Sequence, residues 1–173
     1  VVAGARHQHV RRAAVRADTG GKLYRNSRLS RLGEQIGAAV RLFHPDAVEP
    51  DCLRNAVNSF TYVNPLTLPQ MAPSSMLSSE PHSFSRIFTG AFFEVLAGVV
   101  TAKLRKEKDT PTFDQALLEA SDETAEILIA GIVAAPLAPN FFAQVASAMV
   151  DASAMKDDAY PAILKAAFVR RSI

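Results

Sequence analysis

An all-α fold is what this sequence predicts, and three observations carry the prediction. Apolar residues recur every three or four positions in several separate stretches. No stretch shows the alternation of a half-buried strand or a hairpin signal. The composition, 49% hydrophobic and 21% charged over 173 residues, is that of a globular chain able to bury one core. With no internal repeat, the reading is one helical domain over 1–173, made of a basic segment at 1–25 and a helical lobe at 26–173.

The elements follow in order. A short helix is expected around residues 5–17. In "RNSRLSRLGEQIGAAVRLF" the spacing of Leu29, Leu32, Ile36 and Val40, reaching Leu42 or Phe43, predicts an amphipathic helix capped by Asn26 or Ser27. Gly33 and Gly37 within it would allow close helix packing. "FHPDAVEPDC" breaks the chain with two prolines, and "DCLRNAVNSF" reads as a short helix with Asp51 at its start. Residues 62–81 hold four prolines and five serines or threonines, which predicts a long irregular loop of the kind that is often functional.

From His82 the helical period returns. Ile87, Ala91, Val95 and Val99 form one row, and Phe88, Phe92 and Leu96 the next, so this helix should be buried along a wide stripe. Lys103, Arg105, Lys106 and Lys108 suit its negative C-terminal end. Asp109 or Thr110 is the expected cap of a further helix that has Pro111 in its first turn and runs to Pro136. Another begins near Asn140, and a last one carries Ile163, Leu164, Ala167 and Phe168. Glu94, inside the apolar helix, is read as facing solvent or capping a neighbouring loop.

Composition also excludes. The longest uncharged apolar run, Ile127 to Pro139, is thirteen residues, short of the ~20 that a spanning helix needs, so no membrane partner is expected. The opening residues lack an initiating Met and an apolar signal core, so a fragment or processed product is the expectation. A single cysteine, Cys52, rules out an internal disulfide and a thiolate zinc cluster and reads as a buried structural thiol. The net charge is only +2, but residues 1–31 carry eight Lys and Arg against Asp18 alone. Tyr24 is the one aromatic residue there to stack a base, so a nucleic-acid partner is disfavoured and a solvated or packing face is expected.

Motifs for chemistry are few. His7, His9, His44 and His82 are followed by Gln8, Val10, Pro45 and Ser83, so the chain has no H-E-x-x-H zinc helix. His7 and His9 lack a third ligand nearby and read as an exposed pair. There is no G-x-S-x-G elbow and no phosphate-binding loop. What remains is "SSEPHSFSRIFTGAFFEVL", residues 78–96, where a histidine opens the long apolar helix.

From His82, "HSFSRIFTGAFF" resembles the segment of thermolysin-like (gluzincin) zinc metallopeptidases in which a catalytic histidine opens a buried helix. Ser85, Ile87 and Ala91 fall on that family's serine, isoleucine and alanine, and Phe93 on an aromatic. "CLRNAVNSFTYVNP" is similar to its Leu-Arg stretch and the loop after it, with Arg54 28 residues before His82. "LAPNFFAQVASAMVDASAMKDDAYPAILKAAF" resembles its closing helices. The likeness is close over 82–93 and loose over 50–173.

The resemblance implies an orthogonal multi-helix bundle like the C-terminal lobe of those peptidases, with a peptide or protein as substrate. It implies that His82 is a donor to the oxyanion and that the Arg54 fork holds a substrate carbonyl. It also implies an upstream zinc-binding domain, with zinc in the full-length protein, no metal ligand in this chain, and no activity for the lobe alone. The sequence departs from the family in two places: Leu77 stands where an orienting aspartate belongs, and Phe84 where an asparagine does. Glu80, two residues before His82, is then the carboxylate available to orient the ring. The rival expectation is a non-catalytic helical module that binds protein through its basic N-terminal face.

Overall fold

A side chain every fourth residue stays on one helical face, so the row Ile87, Ala91, Val95 and Val99 should sink together. In the computed structural model, which describes residues 15–106 and 111–173, all four are 0% exposed. They belong to the core helix, here α3 (Arg86–Leu104), which is preceded by α1 (Glu34–Arg41) and the single turn α2 (Pro81–Phe84). After it come α4 (Phe113–Ala134), α5 (Phe141–Ser153) and α6 (Tyr160–Arg170). Helix α3 packs against α4 and α6, and α5 packs against the same two, so these four helices close a ring around the core. Each large aliphatic side chain buried in that core contributes roughly 1.5–3 kcal/mol. The fold is therefore mostly helical, as its periodicity predicts.

The segment Pro81–Leu104 is long and apolar enough, by length and composition, to cross a membrane. Counting uncharged runs overlooks it because Glu94 interrupts the run. Here it is the core helix: eleven of the nineteen residues of α3 are buried, and its charges are paired. Lys103 Nζ reaches Glu119 Oε2 at 3.1 Å and Glu123 Oε1 at 3.0 Å, while the buried Tyr160 hydroxyl donates to Glu123 Oε2 at 2.6 Å. Burial opposes the charge on Lys103, but its hydrogen bonds to Glu123 and Glu119 outweigh it and raise the ammonium above its ordinary range. Burial first, then the bond to Glu123, likewise raises the Tyr160 phenol.

Helix α4 begins later than its sequence suggests. Asp109 and Thr110 lie outside the described residues, and the cap is Thr112. Its hydroxyl accepts from the Gln115 N–H, and the Gln115 side chain accepts from the Thr112 N–H, a reciprocal box that satisfies two otherwise free donors. The helix expected around 5–17 lies outside the described residues except for its end, and residues 15–19 are helical. His7, His9 and Lys108 also fall outside them.

Two expectations fail in the N-terminal third, both for backbone reasons. The amphipathic helix does not start at Asn26 or Ser27: Gly33 adopts φ 64°, a left-handed conformation that stops the pattern and leaves α1 only eight residues. Before it, Arg31–Leu32 forms a short strand, β1, that pairs antiparallel with β2, Arg54–Asn55. The segment "DCLRNAVNSF" is thus extended where a helix was expected. Gly37 explains the close fit, because a Cβ there would lie 2.3 Å from the Cys52 carbonyl carbon and the Leu53 nitrogen. The small residue admits an extended backbone rather than a second helix. Only Gly37 is buried in α1, so Ile36 (60% exposed), Leu42 (81%) and Phe43 (79%) face outward.

Candidate functional site

Pro81 at the first helical position and Glu80 before it fix the start of α2. The Glu80 carboxylate accepts from the His82 N–H at 3.0 Å and the Ser83 N–H at 2.8 Å. The His82 N–H bond leads in holding this carboxyl below the usual carboxylate range. Glu80 is therefore the cap of α2, and its link to the imidazole is looser: Oε1 lies 3.9 Å from His82 Nε2, beyond a hydrogen bond. The His82 side chain is 90% exposed, standing into solvent from a fixed helix start.

Arg54 lies on β2 and directs Nη1 at two carbonyls, Leu53 O at 2.7 Å and Ala47 O at 2.9 Å. Its positive charge is felt by both Glu80 and Arg86, which puts Arg54, Glu80 and His82 in one neighbourhood. Leu77, half-buried, offers no carboxylate to the ring.

Behind these groups stands a residue that sequence reading passes over. Arg86 is 4% exposed; Nε donates to Ser83 O at 3.1 Å, Nη2 to Ser83 Oγ at 2.8 Å and to Met76 O, and Nη1 to Ser74 O. Its Cζ sits 4.3 Å over the Phe60 ring, a cation–π contact. Burial, then the nearby Arg54, lowers its pKa. A second buried arginine, Arg171, closes the other loop: Nε and Nη2 hold Glu94 Oε1, Nη1 holds Asn58 Oδ1 and Phe60 O, and Nη2 holds Asn58 O. Glu94 is thus mostly buried in an ion pair, not solvated or capping a loop, and Arg170 completes its pairing. The one available sequence signal was charge within a buried period.

Next to α2 runs an aromatic cluster. Phe84 meets Tyr62 edge-on and stacks on Phe142, each at 5.6 Å, while Phe88 bridges Phe142 and Phe168 at 5.3 and 5.7 Å. Two apolar cavities flank it. One of about 260 Å³ includes Tyr62, Phe84 and Ile173; one of about 340 Å³ includes Ser85, Phe92, Leu128 and Ile132. Ser85 Oγ donates to His82 O at 3.0 Å, so the larger cavity begins one turn from the histidine.

Cys52 is buried, with its thiol on Arg54 O at 3.2 Å, and burial leads in pushing its pKa up to about 11. It is an inert structural thiol. The basic face is partly neutralised, since Arg31 Nε meets Glu34 at 2.6 Å and Arg28 lies 3.8 Å from Asp18. No three His, Cys, Asp or Glu side chains among the described residues converge into a metal site. No family model, curated protein or solved structure matches this chain.

Proposed function

We propose that this chain is the substrate-binding and catalytic-support lobe of a zinc-dependent peptidase, with the bundle arranged like the C-terminal lobe of thermolysin-like enzymes. One observation carries the reading. His82 projects into solvent from a capped helix start, with a carboxylate beside it, Arg54 nearby and an apolar cavity one turn away. When a peptide carbonyl is attacked, negative charge grows on its oxygen, and a fixed donor there lowers the barrier. The backbone of His82 is held by the cap of α2, its exposed imidazole N–H would be such a donor, and Arg54 would supply a second cation to steady the substrate backbone.

Among the described residues no three potential metal ligands converge, and on this reading the zinc would be held by the upstream zinc-binding domain that the resemblance implies. That metal would supply the activated water; this lobe contributes the donor, the cation and the apolar surface.

The test is peptide hydrolysis by the natural protein that joins this lobe to its zinc helices. His82→Ala should lower kcat by about 10²-fold or more with a smaller change in KM. A second reading, a non-catalytic helical module that docks on protein, is favoured by Ile36, Leu42 and Phe43 exposed beside the basic residues of the N-terminal face. The sequence preceding this chain in the natural protein separates the two. An H-E-x-x-H helix with a later glutamate ligand supports the peptidase, and its absence supports the module.

A further inference from the structure

Residues 74–83 carry His82 and Glu80, yet they have little regular structure to hold their course. Their backbone bonds to the rest of the chain include Ser74 N–H to Asp46 O at 2.7 Å and Ser79 N–H to Pro69 O at 2.8 Å. What gathers the segment is one planar group. The Arg86 guanidinium reaches the carbonyls of Ser74, Met76 and Ser83 and the Ser83 hydroxyl, and that hydroxyl also accepts from the Ser78 N–H at 3.1 Å. Glu49 lies 3.9 Å from Nη1 and Phe60 lies beneath the plane.

We infer that Arg86 is a positioning residue: its guanidinium fixes the path of residues 74–83, and through that path the placement of His82 and Glu80 relative to Arg54. The fork geometry is essential. Four hydrogen bonds from one planar fork meet acceptors on Ser74, Met76 and Ser83, whereas a lysine offers three donors on a single nitrogen. Arg86 grows from the first turn of the rigid core helix, so it transmits the position of the core to the loop. The consequence for catalysis rests on the peptidase reading above; the consequence for the loop does not.

Hydrogen exchange on the full chain tests the loop. In Arg86→Lys and Arg86→Met, peptides covering 72–84 should exchange about tenfold or more faster than in the parent protein, with α4 and α5 unchanged. Ser83→Ala, which removes one acceptor and keeps the guanidinium, should give a smaller acceleration over the same peptides and guards against misfolding of the arginine variants. Unchanged exchange over 72–84, or equal acceleration throughout the chain in Ser83→Ala, would overturn the inference. In the natural zinc-loaded protein, Arg86→Lys should lower kcat about tenfold or more while KM stays nearly constant, as expected for a misplaced donor. A mobile loop with unchanged kcat would also overturn it, provided His82→Ala is itself impaired. If His82→Ala is unimpaired, the peptidase reading fails, and the exchange result alone decides whether Arg86 holds the loop.

Discussion

Gly90→Ala should destabilise this protein although it puts a better helix former inside a helix. A Cβ on Gly90 would lie 2.9 Å from Cζ and Nη1 of Arg171 and 3.0 Å from Nη2. Ordinary contacts need about 3.5–4.0 Å, so the guanidinium must retreat by half an ångström or more. A free arginine would swing away at little cost. This one is held by Glu94, by Asn58 through its side chain and carbonyl, and by Phe60 O. Losing or stretching one or two charged hydrogen bonds costs about 1.5–3 kcal/mol, while Ala in place of Gly returns about 1 kcal/mol of helix propensity. The net expectation is about 0.5–2 kcal/mol of destabilisation, or roughly 1–8 °C in Tm at this chain length.

The sign should reverse once the obstacle is gone. Arg171→Ala alone should cost about 2–4 kcal/mol, somewhat below the loss for an isolated buried pair, because Arg170 still meets Glu94. In that background Gly90→Ala should be neutral or stabilising by up to about 1 kcal/mol. Urea unfolding of the four proteins of the cycle, followed by far-ultraviolet circular dichroism, measures the coupling, expected between about 0.5 and 3 kcal/mol. Additivity within about 0.5 kcal/mol would refute the claim that Gly90 exists to seat Arg171.

Gly37→Ala should cost about 1–3 kcal/mol by thermal unfolding, because its Cβ would strike the backbone at Cys52 and Leu53 and no side chain can yield. Lys103 and Tyr160 both have raised pKa values in the folded state, so their stabilisation is complete below about pH 10 and is lost as pH rises through the folded values. Tyr160→Phe should therefore flatten the alkaline fall in stability, while costing about 1–2 kcal/mol at neutral pH through the lost bond to Glu123. Cys52, buried and pushed up to about 11, should react with a thiol reagent at pH 8 only as fast as the chain opens, and promptly in denaturant.

The helices from α3 onward were legible because their burial is set by side-chain spacing. The row from Ile87 to Val99 states the core helix outright, and Pro136 and Asn140 mark its neighbours' ends. The N-terminal third was not legible, because its structure is decided by backbone approach. Gly33 at positive φ and Gly37 against residues 52–53 turn an apparent helical repeat into a strand, a turn and a short helix. A ladder of two residues per strand is too short to show alternation. At the site, His82 announced itself as the opening of an apolar helix, and Glu80 as a nearby carboxylate, although its main engagement proved to be with backbone N–H groups. Arg86 and Arg171 gave no signal beyond charge within a buried period, and Asn58 gave none, since many of their partners are backbone carbonyls that no side-chain pattern marks, as in the bond from Arg171 to Phe60 O.

The proposed role of His82 is to donate to the negative charge that develops in a peptidase site. The test is the kcat of peptide hydrolysis by the full-length protein assayed with added zinc, compared with His82→Ala at equal zinc content and equal folded fraction. A loss of about 10²-fold or more in kcat is expected. An unchanged kcat in the folded, zinc-loaded variant would contradict it and leave residues 80–84 as no more than the capped start of a core helix.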